Sequence, residues 1–448
     1  MLVKVLVLST ASQESPMHKL SVIPGGALQG RIRVPGDKSI SHRAIMLGAI
    51  ADGTTQVRGF LNGEDCLATV SAFRHMGVNI REHRQALFID GVGMRGLQAP
   101  SVDLDCGNSG TSMRLLCGLL SAQNFDSVMT GDASLQKRPM RRVSEPLGKM
   151  GARIRTTESG CAPLQISAST GLRGIAYQSP VSSAQIKSSL MLAALYAEGA
   201  TQIIEPSLSR DHTERMLRAF CHPVESKGST VTLEAADGLV ATDLEVPGDI
   251  SSAAFFILGA SIAPGSDLII ESVGLNPTRT GCLDIFRSMG ADIEVLDERQ
   301  AGGEPLGDLR VRHAPLSGAR ISGEVVARAI DEFPAIFIAA ACAEGDTVLT
   351  DAAELRVKES DRIAVMAAGL QVLGIEATPT ADGMQIRGGQ MRGASIDSHG
   401  DHRIAMSFAM AGLRAAEPIQ INDCAAINTS FPGFAELAAN SGLNVVAA

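Results

Sequence analysis

Lys38, Ser39 and Arg43 lie within six residues, in the segment Val34-Pro35-Gly36-Asp37-Lys38-Ser39-Ile40-Ser41-His42-Arg43. Two cations at that spacing can hold two different anionic groups, and a serine beside them can cap a helix or bind phosphate. Asp37 reads as a helix N-cap, and His42 as a solvated or capping histidine. The same framework returns 212 residues later as Val246-Pro247-Gly248-Asp249-Ile250-Ser251-Ser252-Ala253-Ala254, without a single cation. A duplicated scaffold with charged chemistry in one copy points to two similar halves facing one ligand site.

Further segments bear chemistry. Gly107-Asn108-Ser109-Gly110-Thr111-Ser112 resembles a phosphate-cradling turn without the Lys-Ser/Thr ending of a P-loop, and fits equally a tight strand-to-helix turn. In Gln136-Lys137-Arg138-Pro139-Met140-Arg141-Arg142 the proline fixes the turn; Arg138 is the expected ligand contact and the other cations are expected on the surface. Ser182, Ser183 and Gln185 offer neutral hydrogen bonds, and Ser209-Arg210-Asp211-His212 does the same with one cation. Leu355-Arg356-Val357-Lys358-Glu359-Ser360-Asp361-Arg362 joins cations and acids at an expected helix start, with Lys358 and Arg362 as i, i+4 neighbours. Glu359 can pair with Arg362 or transfer a proton; a surface ion-pair network is the alternative. Asp331 and Glu332 precede the apolar run Phe333 to Cys342, so one of them is a buried-end acid or a cap. Asp401-His402-Arg403 offers a His-Asp pair for acid-base work, while the lack of a Gly-x-Ser-x-Gly elbow argues against a serine hydrolase.

These segments need elements to position them. Length alone, 448 residues, suggests about three domains, but the duplication favours two. Six polar turns, near Gly36, Gly107, Pro180, Gly248, Ile330 and His399, each open a helix rich in Ala, Leu, Met and Gly, at intervals of about 70 residues. Each is followed by a second, amphipathic helix; Leu283, Phe286 and Met289 mark one apolar stripe, and Ile363, Met366, Leu370 and Leu373 another. Most of these second helices stop at glycine, at Gly77, Gly151, Gly290, Gly374 and Gly442, whereas Pro223 is expected to stop the third. Six β-α-β-α-β-β modules, three per half, follow. Helix N-termini carry partial positive charge and unpaired N–H groups, so several converging on one cleft would form an anion site.

Composition narrows the ligand. The net charge of −9, from 39 basic and 48 acidic residues, argues against nucleic-acid or acidic-membrane binding through a general positive field. No Trp and two Tyr remove the usual stacking platforms, leaving charge and hydrogen bonds to do the recognition. Eight scattered cysteines without CxxC spacing fit reduced, mostly buried thiols in a cytoplasmic protein, with neither disulfide nor zinc. The apolar start, Met1 to Thr10, reads as a first strand or a ragged end, and no apolar run is long enough for a membrane helix.

Together, Val34 to Arg43, Asn108-Ser-Gly-Thr111, Lys137-Arg-Pro-Met140, Leu355 to Arg362 and Asp401-His-Arg-Ile-Ala-Met406 closely resemble the 5-enolpyruvylshikimate-3-phosphate synthase family, over nearly the whole chain. Gly131 to Met140, Arg210-Asp-His-Thr213 and Asn276-Pro-Thr-Arg-Thr-Gly281 look like its second, often glyphosate-tolerant bacterial branch. The resemblance implies an α/β fold of two inside-out, barrel-like domains, one of residues 1–35 and 247–448 and one of residues 36–246. They would close as a hinge about the crossings near residues 35 and 247. It implies transfer of the carboxyvinyl group of phosphoenolpyruvate to the 5-hydroxyl of 3-phosphoshikimate with release of phosphate, by a monomer, without metal or organic cofactor. By resemblance, Lys38, Ser39, Arg43, Ser183, Gln185, Arg210 and Lys358 would hold the shikimate phosphate and ring. Lys38, Gly110, Arg138, Gln185, Arg362 and Arg403 would hold phosphoenolpyruvate. Asp331 would accept the hydroxyl proton, and Glu359 with Lys38 would handle the proton at the methylene carbon.

The charges agree with that assignment. Each substrate carries a phosphate of about −1.5 to −2 plus a carboxylate, so the pair needs several cations in a small volume. One departure stands out: where many family members carry a lysine before Thr-Phe-Pro, this chain reads Asn428-Thr429-Ser430-Phe431-Pro432. The roles of Arg138 and Arg403 would grow accordingly. Gly110 leaves room where a methyl group would intrude, which argues for inhibitor sensitivity. The rivals are an enolpyruvyl transferase acting on UDP-N-acetylglucosamine, whose usual loop cysteine has no counterpart between Cys117 and Cys161, and a non-catalytic sugar-phosphate binder, which would not need both Lys38 and Glu359.

Overall fold

The computed structural model describes residues 18–447, so the segment Met1 to Thr10 lies outside the described residues. Six long helices follow the six polar turns: Lys38–Ile50, Gly110–Leu120, Ala184–Ala194, Ile250–Ile262, Phe333–Cys342 and His402–Ala411. They are central rather than amphipathic. Ile250–Ile262 has no charged residue and all of it is buried, because every face meets apolar side chains. Gly110–Leu120 packs on both Lys38–Ile50 and Ala184–Ala194, while the last three pack against one another. The second helices lie outside them with one face buried; Leu283, Phe286 and Met289, and Ile363, Met366, Leu370 and Leu373, are all in the core as their spacing requires.

Around the central helices stand six four-stranded sheets with one shared order, a parallel pair followed by two antiparallel strands. Leu104–Asp105, Ser127–Thr130, Leu164–Ile166 and Ile154–Arg155 show it: the central helix crosses between the first two strands, the second helix leads to the hairpin. Three sheets borrow a strand from far along the chain. Leu244–Glu245 completes the sheet of Asp52–Arg58. Gln29–Ile32 completes that of Asp267–Gly274, and Lys19–Val22 lies between Ile419–Asn422 and Val445–Ala447. One hydrophobic cluster accordingly spans Leu20 to Val34 and Ile250 to Leu443, and the other Ile40 to Val246. Helices inside and sheets outside give each half an inside-out α/β construction.

The two Val-Pro-Gly-Asp repeats carry the chain between the halves, and they pair with each other. Gly36 and Gly248 form an antiparallel bridge; Asp37 N donates to Pro247 O at 2.8 Å, and Asp249 N to Pro35 O at 2.9 Å. Each aspartate then caps the next helix, Asp37 accepting from Ile40 N and Asp249 from Ser251 N. The five expected stop glycines all adopt positive φ. The third second helix, His212–Ala219, is stopped differently from expectation. Cys221 itself takes φ 65°, and His222 N bonds back to Leu217 O, so the same left-handed stop is made by a non-glycine and Pro223 only follows it.

The crossing tolerates no side chain at Gly36, where a Cβ would lie 1.8 Å from Gly59 O. Gly36→Ala should therefore destabilise the protein by about 1–3 kcal/mol or more, read as a lower thermal midpoint. Gly148 near the end of helix Arg141–Lys149 has open space where its Cβ would be, so Gly148→Ala should raise the midpoint slightly. Equal midpoints for the two variants would contradict the packed crossing.

Candidate active site

All six central helices point their N-terminal ends into one cleft of about 600 Å³ between the halves. Its walls include Lys38 and Ser39, Gly110 and Thr111, Ser183 and Gln185, Asp249, Asp331, and His402 and Arg403, each at or beside the start of a different one of those helices. Unpaired N–H groups and helix dipoles thus face a common space. Lys358 and Glu359 enter from the stretch before helix Arg362–Val372, and Arg138 and Arg210 from loops of the other half.

Asp331 is the electrostatic centre. It pairs with Arg210 from across the cleft, lies 3.3 Å from Lys358 Nζ and 3.6 Å from Arg362 Nη1, and its carbonyl accepts from Arg403 Nη1 at 3.3 Å. Burial opposes its ionisation, but Lys358, Arg210, Arg403 and Arg362 outweigh that and hold its carboxyl well below the usual range. Glu359 is treated the same way: burial raises it, while Arg362, at 2.7 Å, with His402 and Arg138 drives it well below its ordinary value. Arg362 is fully buried, its Nε 2.8 Å from Asp401, and its Nη1 makes no hydrogen bond. Lys38 Nζ sits 3.0 Å from Asp65; burial disfavours its charge, yet Asp65 and Glu359 keep its pKa above normal against Arg403.

On the opposite wall, Arg138 Nη2 donates to Asn108 Oδ1 at 2.7 Å, and Arg114, one turn along the helix from Gly110, binds Gln185 Oε1. Gly110 is where these cations come closest to the backbone: an added Cβ would lie 3.3 Å from Arg114 Nη1 and 3.4 Å from Arg138 Nη1. Burial, with Arg142 and Arg138 nearby, pushes Arg114 down to about 10. Ser183 N donates to Glu205, whose other oxygen is held by buried Lys187 at 3.0 Å and by Ser209 Oγ. Arg43 does not line the cleft. It is buried behind it, donating to Ser39 O, Thr213 Oγ1 and Ser188 Oγ, and burial lowers it to about 10.

Several sequence expectations need revision. Lys358 and Arg362 are not i, i+4 helical neighbours: Asp361 accepts from Ala364 N and starts the helix at Arg362, and the two cations meet through Asp331 instead. His42 is neither solvated nor capping; helix Lys38–Ile50 is central, so His42 is buried against Thr69 Oγ1 at 2.8 Å. No Asp401–His402 pair forms, since Asp401 serves Arg362, Ser360 and the helix cap, and burial beside Lys38 and Arg403 pushes His402 down to about 3. Arg142 is not merely surface: it lines the cleft, 3.6 Å from Glu354 of the other half. Of the cysteines, Cys221 is exposed while Cys66, Cys106, Cys117, Cys282 and Cys424 are buried as expected. Residues given no role from the sequence include Arg114, whose i+4 spacing from Gly110 was visible, Arg279, which lies in the quoted Asn276 to Gly281 segment, and Asp65, which carried no local signal. Thr429, in the segment lacking the lysine, reaches the cleft wall.

Six repeated modules in two inside-out halves around a cationic cleft constitute the enolpyruvyl transferase fold, and comparison with known proteins agrees. An EPSP synthase from Acinetobacter baumannii superposes with a TM-score of 0.88 at 56% identity, covering 96% of this chain and all of that one. The family model described as EPSP synthase (3-phosphoshikimate 1-carboxyvinyltransferase) matches residues 22–437. Proteins named 3-phosphoshikimate 1-carboxyvinyltransferase are 61% identical in Methylococcus capsulatus, over 96% of this chain and 99% of that protein, and 60% identical in Alkalilimnicola ehrlichii, over 94% and 95%. The chain belongs to the EPSP synthase family. Among the described residues no helix is long and apolar enough to cross a membrane.

The depressed carboxyls have a consequence for stability. A carboxyl whose folded pKa lies below its unfolded value, about 4.3 for Glu, stabilises fully above that value and loses the contribution as pH falls toward the folded pKa. The thermal midpoint of Glu359→Gln should therefore fall short of the parent's most above pH 5, and the gap should close below pH 4. A gap constant from pH 7 to pH 3 would show that Glu359 is not held in this way.

Proposed function

We propose that the two halves close over 3-phosphoshikimate and phosphoenolpyruvate and transfer the carboxyvinyl group of the second to the 5-hydroxyl of the first, releasing phosphate. The observation that carries this reading is Asp331, an ionised carboxylate held in the cleft by cations of both halves, with Glu359 and Lys38 lining the same cleft. In the first step the hydroxyl oxygen bonds to C2 of phosphoenolpyruvate as its proton passes to Asp331 and a proton is delivered to C3. In the second, C3 loses a proton, the C2–O bond to phosphate breaks, and the vinyl double bond reforms. Two acid-base groups in distinct surroundings serve these opposite transfers.

Lys38, Ser39, Ser183, Gln185, Arg210 and Lys358 bind the shikimate phosphate and ring in this reading, and Arg43 acts from behind by fixing the Ser39 carbonyl. Lys38, Gly110, Arg138, Gln185, Arg362 and Arg403 take phosphoenolpyruvate, joined by Arg114. Arg362 Nη1 supports this: it makes no hydrogen bond and has Asp331 only at 3.6 Å, so an anionic substrate oxygen would give this buried donor a closer partner. A bound phosphate competes with Asp331 for Arg210 and Lys358. Once they turn to it, the Asp331 carboxyl regains basicity and becomes a competent proton acceptor, with Glu359 and the Lys38 ammonium handling the proton at C3. The division into residues 1–35 with 247–448 and residues 36–246 is supported by the two separate hydrophobic clusters, and hinge closure by the single paired crossing between them.

Phosphate release measured with 3-phosphoshikimate and phosphoenolpyruvate should proceed, and should not with UDP-N-acetylglucosamine in place of the first. Asp331→Asn and Glu359→Gln should each lower kcat by roughly 10²–10⁴-fold with the fold retained by circular dichroism. Release with the nucleotide sugar alone, or with neither acceptor, would overturn the reading.

A further inference from the structure

The loop Asn276 to Thr280 has been given no role so far, although Thr278 and Arg279 line the cleft and the loop touches the chain beside three further cleft residues, Lys38, Asp331 and Arg210. Arg279 is almost completely buried, and its guanidinium meets three carboxylates from three separate elements. Nη1 lies 3.4 Å from Asp37 Oδ2, and Nη2 lies 3.4 Å from Asp249 Oδ1, 3.5 Å from Glu332 Oε1 and 2.6 Å from Ser251 Oγ. Asp37 precedes Lys38, Glu332 follows Asp331, and Asp249 caps the pseudo-equivalent helix and accepts from Lys38 N at 3.5 Å. Three residues earlier, Asn276 Nδ2 donates to Asp211 Oδ1 at 2.7 Å and to Glu304 Oε2 at 2.8 Å; Asp211 follows Arg210. Glu304 in turn reaches back across the halves to buried His212 at 2.7 Å. The loop holds its own shape, since Asn276 Oδ1 accepts from Thr278 N and Oγ1, and Arg279 N bonds to Asn276 O.

Resting on the proposed reaction, we infer that Arg279 is a positioning residue: its guanidinium clamps the two crossing aspartates and Glu332 together, and so sets Lys38 against Asp331. Asn276 does the equivalent for Arg210 through Asp211. A planar guanidinium with several fixed donors can bridge carboxylates that diverge around it, whereas an ammonium on a flexible stem satisfies fewer of them in one geometry. A capping pair serving only the fold would need one aspartate and no link to Glu332. The clamp instead joins both crossings and the segment bearing the proton acceptor, all at the one place where the halves are continuous.

The test compares Arg279→Lys and Asn276→Ala with the parent, once the parent has been shown to release phosphate from the two substrates; failure at that first stage would strike the proposed reaction and not the clamp. Arg279→Lys keeps the charge, and its thermal midpoint and circular dichroism report whether it folds. A misplacement of about 1 Å between reacting groups can cost on the order of 100-fold in rate, so kcat should fall by about that factor with both KM values changed less than roughly 5-fold. Asn276→Ala should show the opposite split, a KM for 3-phosphoshikimate raised roughly 10-fold with kcat within about 3-fold, because among the cleft residues it is Arg210, through Asp211, that loses most support. Parent-like kinetics in Arg279→Lys, or losses in either variant that merely track the folded fraction, would overturn the clamp.

Discussion

Everything in the cleft answers to one constraint: cations gathered at converging helix N-termini repel one another before any substrate arrives. Lys38, Arg114, Arg138, Arg210, Lys358 and Arg403 all face the same space of about 600 Å³, and six helix starts add their partial charges. Carboxylates make that tolerable. Asp65 takes Lys38, Asp331 takes Arg210 and Lys358, and Glu359 and Asp401 take Arg362. The acids that the proposed reaction uses, Asp331 and Glu359, are thus also counter-ions to the cations of the site. A phosphorylated ligand exchanges with them rather than adding to them, which links binding to the protonation of the same groups.

The topology explains how so many charges reach one place without long loops. A sheet order repeated six times puts each central helix start at the same end of its module. Three modules per half then aim three helix starts the same way, and facing the halves doubles the number. The chain needs to cross only at the two Val-Pro-Gly-Asp segments, which run antiparallel and bond to each other. The duplicated motif seen in the sequence is therefore a physical pair, with Lys38 on one side of it and the cation-free Ile250–Ile262 helix on the other.

Periodicity made the modules legible. Helix starts near Gly36, Gly107, Pro180, Gly248, Ile330 and His399 and the glycine stops needed only local rules, capping and left-handed turns, that tertiary contacts do not override. What local rules missed depended on burial. His42 and His402 look polar in sequence but lie on helices enclosed on all sides. Lys358 and Arg362 were given a helical spacing that Asp361, which caps the helix and starts it only at Arg362, removed. Arg279 lay in the quoted Asn276 to Gly281 segment, but its role was not legible, because its partners Asp37, Asp249 and Glu332 come together only once both halves are folded.

Asp331 is held by cations of both halves. Arg210 belongs to one half, while Lys358, Arg362 and Arg403 belong to the other, so the field on this carboxylate depends on how near the halves are. With the halves apart, Arg210 is lost and the carboxylate is more basic but has no hydroxyl to act on. With them together and no phosphate present, the four cations hold it ionised and weakly basic. In the proposed reaction, closure around a phosphorylated acceptor would give both conditions, a hydroxyl in reach and Arg210 and Lys358 drawn off to the phosphate. Charge balance would thereby favour proton abstraction, in that proposed reaction, in the occupied, closed arrangement.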